Sequence, residues 1–195
     1  DTHTVTAQVK VTNNGAANYT GKSKDVVQLY VQLPYEAGQA EKSAIQIADF
    51  EKTSALAAGE SETVTLSFSD YIFAAYDENA VNGADTSRKG CYVFDAGDYY
   101  FAIGNGAHDA LNNVLAARGV TGMFDEEGNV VSGDAAKAQK ATLTETDNVT
   151  YAVSPQTGEV VSNLFEDRDI NHFIPDTVTY LTRSDWNTFP ETVAT

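Results

Sequence analysis

The run from Asp25 to Pro34 constrains the fold more than any other stretch. Val27, Leu29, Val31 and Leu33 fall on every second position, with Gln28, Tyr30 and Gln32 between them. A period of two puts the two sets on opposite sides of an extended chain, which predicts a strand with one apolar face. Pro34 ends it, because proline has no N–H to give to a sheet ladder. An apolar sheet face is stable only under a second layer, and the rest of the chain must supply that layer.

Most of the chain before residue 106 reads as further strands. From Thr4 to Thr12, Val5, Ala7, Val9 and Val11 alternate with polar residues, and Asn13-Asn14-Gly15 follows as a turn. After a polar loop from Tyr35 to Ser43, Ile45 and Ile47 begin a strand whose phase slips before Phe50. That slip predicts a bulge near Ala48 and Asp49. Val64, Leu66 and Phe68 alternate after the turn at Ala57-Ala58-Gly59-Glu60. Asp77 to Gly90 reads as a long exposed loop. Cys91 to Phe94 and Tyr99 to Ile103 read as a hairpin across Asp95-Ala96-Gly97-Asp98. About six or seven strands in the first half, with turns at this spacing, predict an all-β, immunoglobulin-like sandwich.

The period then changes. Leu111, Val114, Leu115 and Arg118 follow helical spacing, with Asp109 early and Gly119 just beyond, so a short helix is predicted from about Ala107 to Arg118. Met123 to Val131 reads as a hairpin with Gly128 in its bend, and Val149 to Val161 as another around Ser154 to Gly158. Beyond Ser162 the chain is polar with scattered aromatics and predicts an irregular extension laid over a surface. The expected organisation is a sandwich over 1–106, a helix-and-hairpin extension packed on it over 107–162, and a tail or linker towards a missing domain over 163–195. With no initiating methionine, the chain is expected to be a piece of a longer one.

Charge narrows the partners. The formal net charge is −16, from 28 acidic and 12 basic side chains, and a field of that sign repels phosphate backbones and anionic lipid headgroups. Nucleic acid and membrane are therefore not expected partners, whereas neutral sugars remain compatible. Cys91 is the single cysteine, so an internal disulfide is excluded.

The order of motifs resembles a known family. Val9-Lys10-Val11-Thr12-Asn13-Asn14-Gly15, Gly21-Lys22 and Val26-Val27-Gln28-Leu29-Tyr30-Val31 resemble the start of the fibronectin type III-like domain of glycoside hydrolase family 3. Phe50-Glu51-Lys52, the run Leu56 to Thr65, and Gly97-Asp98-Tyr99-Tyr100 with Gly104 follow in the matching order. The similarity covers residues 4–112. It implies a parent of β-glucosidase type that hydrolyses glycosides with retention, its two catalytic carboxylates lying on barrel and α/β-sandwich domains. The fibronectin-like domain is then an accessory packed against those two domains. No motif of the nucleophile occurs here, so no catalytic residue is carried over, and no cofactor is implied. His108 to Asn113 and Tyr180 to Trp186 resemble family members of inverted domain order, in which a barrel follows the sandwich.

Individual residues add little chemistry. Asp125, Glu126 and Glu127 lack the alternating oxygen ligands of a calcium loop and read as a hairpin tip. His3, His108 and His172 have no ligand spacing, so no metal site is expected. Asn18 and Asn148 satisfy the glycosylation pattern, which matters only in a secreted eukaryotic context. Tyr35 and Trp186 are the candidate sugar or domain contacts, as stacking platforms or as anchors against a neighbouring domain. Two functions follow: a non-catalytic accessory domain that stabilises or positions catalytic domains, or an independent carbohydrate-binding or adhesion module.

Overall fold

A computed structural model describes residues 3–16, 18 and 20–184. The strands in chain order are β1 (Thr4–Thr12), β2 (Lys22–Ser23), β3 (Val26–Gln32), β4 (Gln46–Lys52), β5 (Leu56–Ala57), β6 (Ser61–Ser69), β7 (Ala75–Val81), β8 (Lys89–Val93), β9 (Gly97–Ile103) and β10 (Ala138–Leu143). Among the described residues, two helices, α1 (Ala107–Ala117) and α2 (Ile170–Phe173), accompany the strands together with short 3-10 turns. The chain forms two compact units interleaved in sequence. One comprises Asp1–Leu33, Ser43–Phe73 and Gly97–Leu143, the other Pro34–Lys42, Ala74–Ala96 and Thr144–Thr195.

The first unit is an antiparallel β-sandwich. A four-stranded sheet in the order β10-β9-β3-β4 faces a two-stranded ribbon, β1-β6. Val27 and Leu29 of β3 interdigitate with Val64 and Leu66 of β6, and Ala7, Val9, Val11, Phe101 and Ile103 pack around them. The ribbon runs in register from Thr4 opposite Ser69 to Thr12 opposite Ser61, so the alternation of each strand meets that of its partner. Between β3 and β4, Leu29 lies opposite Asp49 and Tyr30 opposite Ile47, which makes Ala48 the extra residue of a bulge. That is where the phase slip in the sequence put it. Phe73 closes one end, with its ring edge-on to Phe68 at 5.7 Å and Phe101 at 5.2 Å.

The second face of the four-stranded sheet is covered too. Ala110 and Val114 of α1 pack on Tyr30, Ala102 and Ala138, so β3 is enclosed on both sides. Gln32 on this face is buried but satisfied. Its amide donates to the Ala44 carbonyl at 2.9 Å, and its oxygen accepts from Arg118 Nη1 at 2.6 Å. The helix lies where its spacing predicted. Asp109 accepts from the Asn105 N–H at 2.9 Å at its start, and Gly119 follows its end with φ +68°. Its buried set is Ala110, Asn112, Asn113 and Val114, and Leu111 is only half-buried.

In the second unit, β7 and β8 form an antiparallel hairpin. Asn82 sits fully buried at its turn. The Asn82 Nδ2 donates to the carbonyls of Ala152 and Val161 at 2.9 and 2.8 Å, and its Oδ1 accepts from Ala84 and Asp85 N–H. One asparagine thereby ties the 82–85 turn to the 149–161 hairpin, which closes through the Val153–Val160 bridge. Phe94 and Asp147 exchange two backbone hydrogen bonds of 2.9 Å, and the Phe94 ring packs on Tyr151.

Two expectations are corrected here. The stretch Asp77 to Gly90 is a loop only after Val81, because Ala75–Val81 pairs with Lys89–Val93. Cys91 to Phe94 and Tyr99 to Ile103 do not form a hairpin: β8 pairs with β7, whereas β9 pairs with β3 and β10. Local alternation fixes which residues are extended, not which neighbour they choose, and the pairing β9 makes is with strands distant in sequence.

Candidate interaction site

Glu41, Lys42, Thr182 and Arg183 of the second unit gather around Tyr35. The loop Pro34–Lys42 turns through a Gln39 N–H bond to the Glu36 carbonyl, which brings Tyr35 and Glu41 to the same side. Tyr35 Oη donates to Glu41 Oε1 at 3.2 Å and lies 3.5 Å from the Thr182 hydroxyl. Over the ring, the Arg183 guanidinium carbon stands 4.6 Å from the centroid, a cation–π stack. Arg183 Nη1 also donates to the Lys42 carbonyl at 2.7 Å, and its backbone N–H reaches Glu41 Oε2 at 3.4 Å.

The electrostatics follow from these bonds. The Glu41 carboxyl is held below the ordinary carboxylate range, first by the Thr182 hydroxyl, which outweighs the opposing effect of desolvation, and then by the Arg183 N–H and the Tyr35 hydroxyl. Directly behind Glu41, Lys42 Nζ meets Asp95 Oδ2 at 2.8 Å with side chains 3% and 12% exposed. A desolvated ion pair of this kind holds loop and strand end in one arrangement.

The 164–181 stretch of the same unit is organised around a second carboxylate. Asp169 caps α2 by accepting from the Asn171 N–H at 2.8 Å, and it also accepts from the Tyr180 hydroxyl. The Tyr180 hydroxyl, followed by the Asn171 N–H, lowers the Asp169 pKa, and the same bond to Asp169 raises the pKa of Tyr180. Asn171 clips the chain back on itself by bonding both N–H and carbonyl of Val178. What this clip displays is apolar. Leu164 and Phe165 are 78% and 74% exposed, and Ile170, Phe173, Ile174, Val178 and Leu181 are exposed with them. An apolar strip of this density marks an interaction surface.

Of the two residues singled out in the sequence, Tyr35 lies in this site, with one face of its ring under Arg183. Trp186 lies outside the described residues. Glu41 gave no signal in the sequence, and Thr182 and Arg183 stood out only within the Tyr180 to Trp186 resemblance; their meeting with Glu41 did not, since residues some 140 positions apart share no periodicity. Asp125 is placed at the hairpin tip, where its carboxylate accepts from the Asn129 N–H at 2.7 Å. The Asn148 amide donates to the Val81 carbonyl at 2.8 Å.

The sequence pattern of the fibronectin type III-like domain matches residues 25–107. The beta-glucosidase of Ruminococcus albus is 33% identical over 106 residues, which is 54% of this chain and 10% of that protein. The probable beta-glucosidase F of Aspergillus flavus is 49% identical over 63 residues, 32% of this chain and 7% of its own. Among solved structures, the beta-glucosidase of Paenibacillus barengoltzii aligns with 73% of this chain and 12% of its own at 31% identity, with a TM-score of 0.46. The chain thus spans about a tenth of the length of the curated relatives it matches. Motif order, a sandwich with antiparallel sheets and the two sequence alignments agree: residues 25–107 belong to a fibronectin type III-like domain, of the kind these beta-glucosidases carry.

Proposed function

We propose that the chain is a non-catalytic accessory module of a longer enzyme of beta-glucosidase type, and that it braces catalytic domains of the same polypeptide. One observation carries this reading: the exposed apolar strip over residues 164–181, held in shape by the Asp169, Asn171 and Tyr180 bonds. An extended segment that builds its own clip and then exposes Leu164, Phe165, Phe173 and Ile174 leaves apolar area for a partner to cover. The 106 matched residues make up only 10% of the relative from Ruminococcus albus, which supports a partner in the same chain. Tyr35, through Arg183, then anchors the tail beside that surface.

The test compares the isolated 195-residue chain with its parent on aryl β-glucosides. The isolated chain is expected to give no turnover while the parent is active; saturable turnover by the chain alone overturns the proposal. Replacing Phe165 and Phe173 with serine is expected to lower the thermal stability of the parent by more than it lowers that of the isolated chain. Equal effects on both would remove the strip from the interface.

A further inference from the structure

Asparagine followed by glycine occurs three times in the chain, at Asn14-Gly15, Asn82-Gly83 and Asn105-Gly106. This dipeptide carries its own chemistry. The glycine nitrogen can reach the side-chain carbonyl carbon of the asparagine, because glycine has no Cβ to bar the approach and its backbone turns freely. The two groups must swing into contact, so local burial and hydrogen bonding decide which pair reacts. Asn82 is 0% exposed, its Nδ2 donates to the Ala152 and Val161 carbonyls, and its Oδ1 accepts from Ala84 and Asp85. The Gly83 N–H donates to the Asn148 carbonyl at 3.0 Å, and a Cβ at Gly83 would stand 2.6 Å from that oxygen. This pair is locked. Asn105 is exposed, but its main chain is pinned on both sides. Its N–H donates to Asp109 Oδ2 at 2.9 Å, and the Gly106 carbonyl accepts from the Ala110 N–H at 3.0 Å. Turning Asn105 would open the first turn of α1.

The first pair differs from both. Asn14 and Gly15 are exposed and lie beyond the end of β1, outside regular structure, and among the described residues the Asn14 amide has no hydrogen-bond partner. The restraint on Gly15 is its N–H bond to Asn13 Oδ1 at 2.9 Å, an exposed bond that water replaces at little net cost. Asn13, by contrast, is anchored: its N–H donates to the Glu60 carbonyl, its carbonyl accepts from the Gly59 N–H, and its Nδ2 donates to the Leu56 carbonyl. We infer that Asn14 is a site of spontaneous covalent modification, where the chain converts its own asparagine into isoaspartate and aspartate. The Gly15 nitrogen gives its proton to solvent and attacks Asn14 Cγ. The new C–N bond closes a five-membered succinimide, the Cγ–Nδ2 bond breaks, and the amide nitrogen takes up a proton and leaves as ammonia. Water then adds to one of the two ring carbonyls. Opening at the side-chain carbonyl gives aspartate, and opening at the main-chain carbonyl gives isoaspartate. Isoaspartate adds a methylene to the main chain between β1 and β2, and either product takes the formal net charge from −16 to −17.

The test incubates the full 195-residue chain at pH 8, folded and in guanidinium chloride, and digests samples at mildly acidic pH. Mass spectrometry with electron-transfer fragmentation then locates each amide-to-acid conversion and separates isoaspartate from aspartate. In the folded chain Asn14 is expected to react within a few-fold of its rate in denaturant, with isoaspartate the larger product. Asn82 and Asn105 are expected to react at least about tenfold more slowly than Asn14 while folded, and to approach it once unfolded. Gly15→Ala is expected to slow the reaction at Asn14 by about tenfold in both conditions, because the added methyl hinders the attacking nitrogen. A folded rate at Asn14 tenfold or more below that in denaturant overturns the inference. So does a folded rate at Asn82 or Asn105 equal to that at Asn14, aspartate formed without isoaspartate, or an unchanged rate in Gly15→Ala. None of these outcomes depends on whether the 164–181 strip docks a catalytic domain.

Discussion

Lys42 Nζ and Asp95 Oδ2 lie 2.8 Å apart, and the two side chains are almost withdrawn from solvent. The Lys42 carbonyl accepts from Arg183, so the residue that carries the buried charge also holds the tail. Removing one member of a buried pair leaves the other charge poorly compensated, at a cost of about 3–5 kcal/mol. Lys42→Met is therefore expected to lower unfolding stability by about 3 kcal/mol, measured by urea denaturation. Lys42→Met with Asp95→Leu is expected to recover most of that loss, because a well-packed apolar pair replaces the ions.

The Arg183–Tyr35 stack predicts a coupling that a double-mutant cycle can isolate. Arg183→Ala, Tyr35→Ala and the double variant should give an interaction energy of about 0.5–1 kcal/mol, the range of a partly exposed cation–π contact. Either single variant should speed amide exchange at residues 182–184 while leaving β3 and β9 unchanged.

Acid should loosen the same tail. Glu41 and Asp169 have folded pKa values below their ordinary ones, so each contributes stability that is fully present above the unfolded carboxylate pKa of about 4. That contribution falls as the pH drops below this value, and it is gone once the pH passes below the folded pKa. Proteolysis by an acid-active protease is expected to cut the 164–184 stretch faster at pH 3 than at pH 5. In Glu41→Gln and Asp169→Asn variants the difference between the two pH values should shrink.

Asn113 tests whether the helix is held by polar or apolar contacts. Its amide donates to the Ile103 carbonyl at 2.8 Å and its oxygen accepts from the Asp134 N–H at 2.7 Å, with 1% of the residue exposed. Asn113→Ala strands both groups and should cost about 2–4 kcal/mol. Leu111→Ala, two residues away at a half-buried site, should cost about 1 kcal/mol. Thermal unfolding of both variants decides the order.

Gly133 and Gly128 differ in why they are glycine. A Cβ at Gly133 would stand 2.0 Å from the Asn112 carbonyl oxygen, backbone against backbone, whereas at Gly128 it would meet open space but the φ is +81°. Gly133→Ala should displace the 133–137 stretch from α1, with a loss above 2 kcal/mol, and Gly128→Ala should cost about 1 kcal/mol. Calorimetry on the two variants measures the gap.

What was legible in the sequence followed from short-range periodicity. The strand at Thr4–Thr12, the bulge at Ala48, the helix from Ala107 and the bends at Gly128 and Gly158 all have signals within a few residues. What was not legible depends on pairs far apart. β8 and β9 look like a hairpin because only three residues separate Val93 from Gly97, yet β9 is claimed by β3 and β10. Tyr30 reads as the solvent side of β3 until α1 covers it, and α1 lies some 80 positions later. The Tyr35 site was half visible. An aromatic in a loop drew attention, but Arg183 and Thr182 reach it across the length of the chain, and no local pattern announces that.

The double cover on β3 sets where this protein can be trimmed. A piece cut at the limits of the family match, residues 25–107, would discard β1, β10 and nearly all of α1. Tyr30, Tyr100 and Ala102 would face water on one side, and Val27 and Leu29 would lose half their roof on the other. For anyone shortening the gene, the sandwich therefore needs everything from the first alternating strand through Leu143, and the β7-β8 hairpin within that span also needs the 149–161 hairpin.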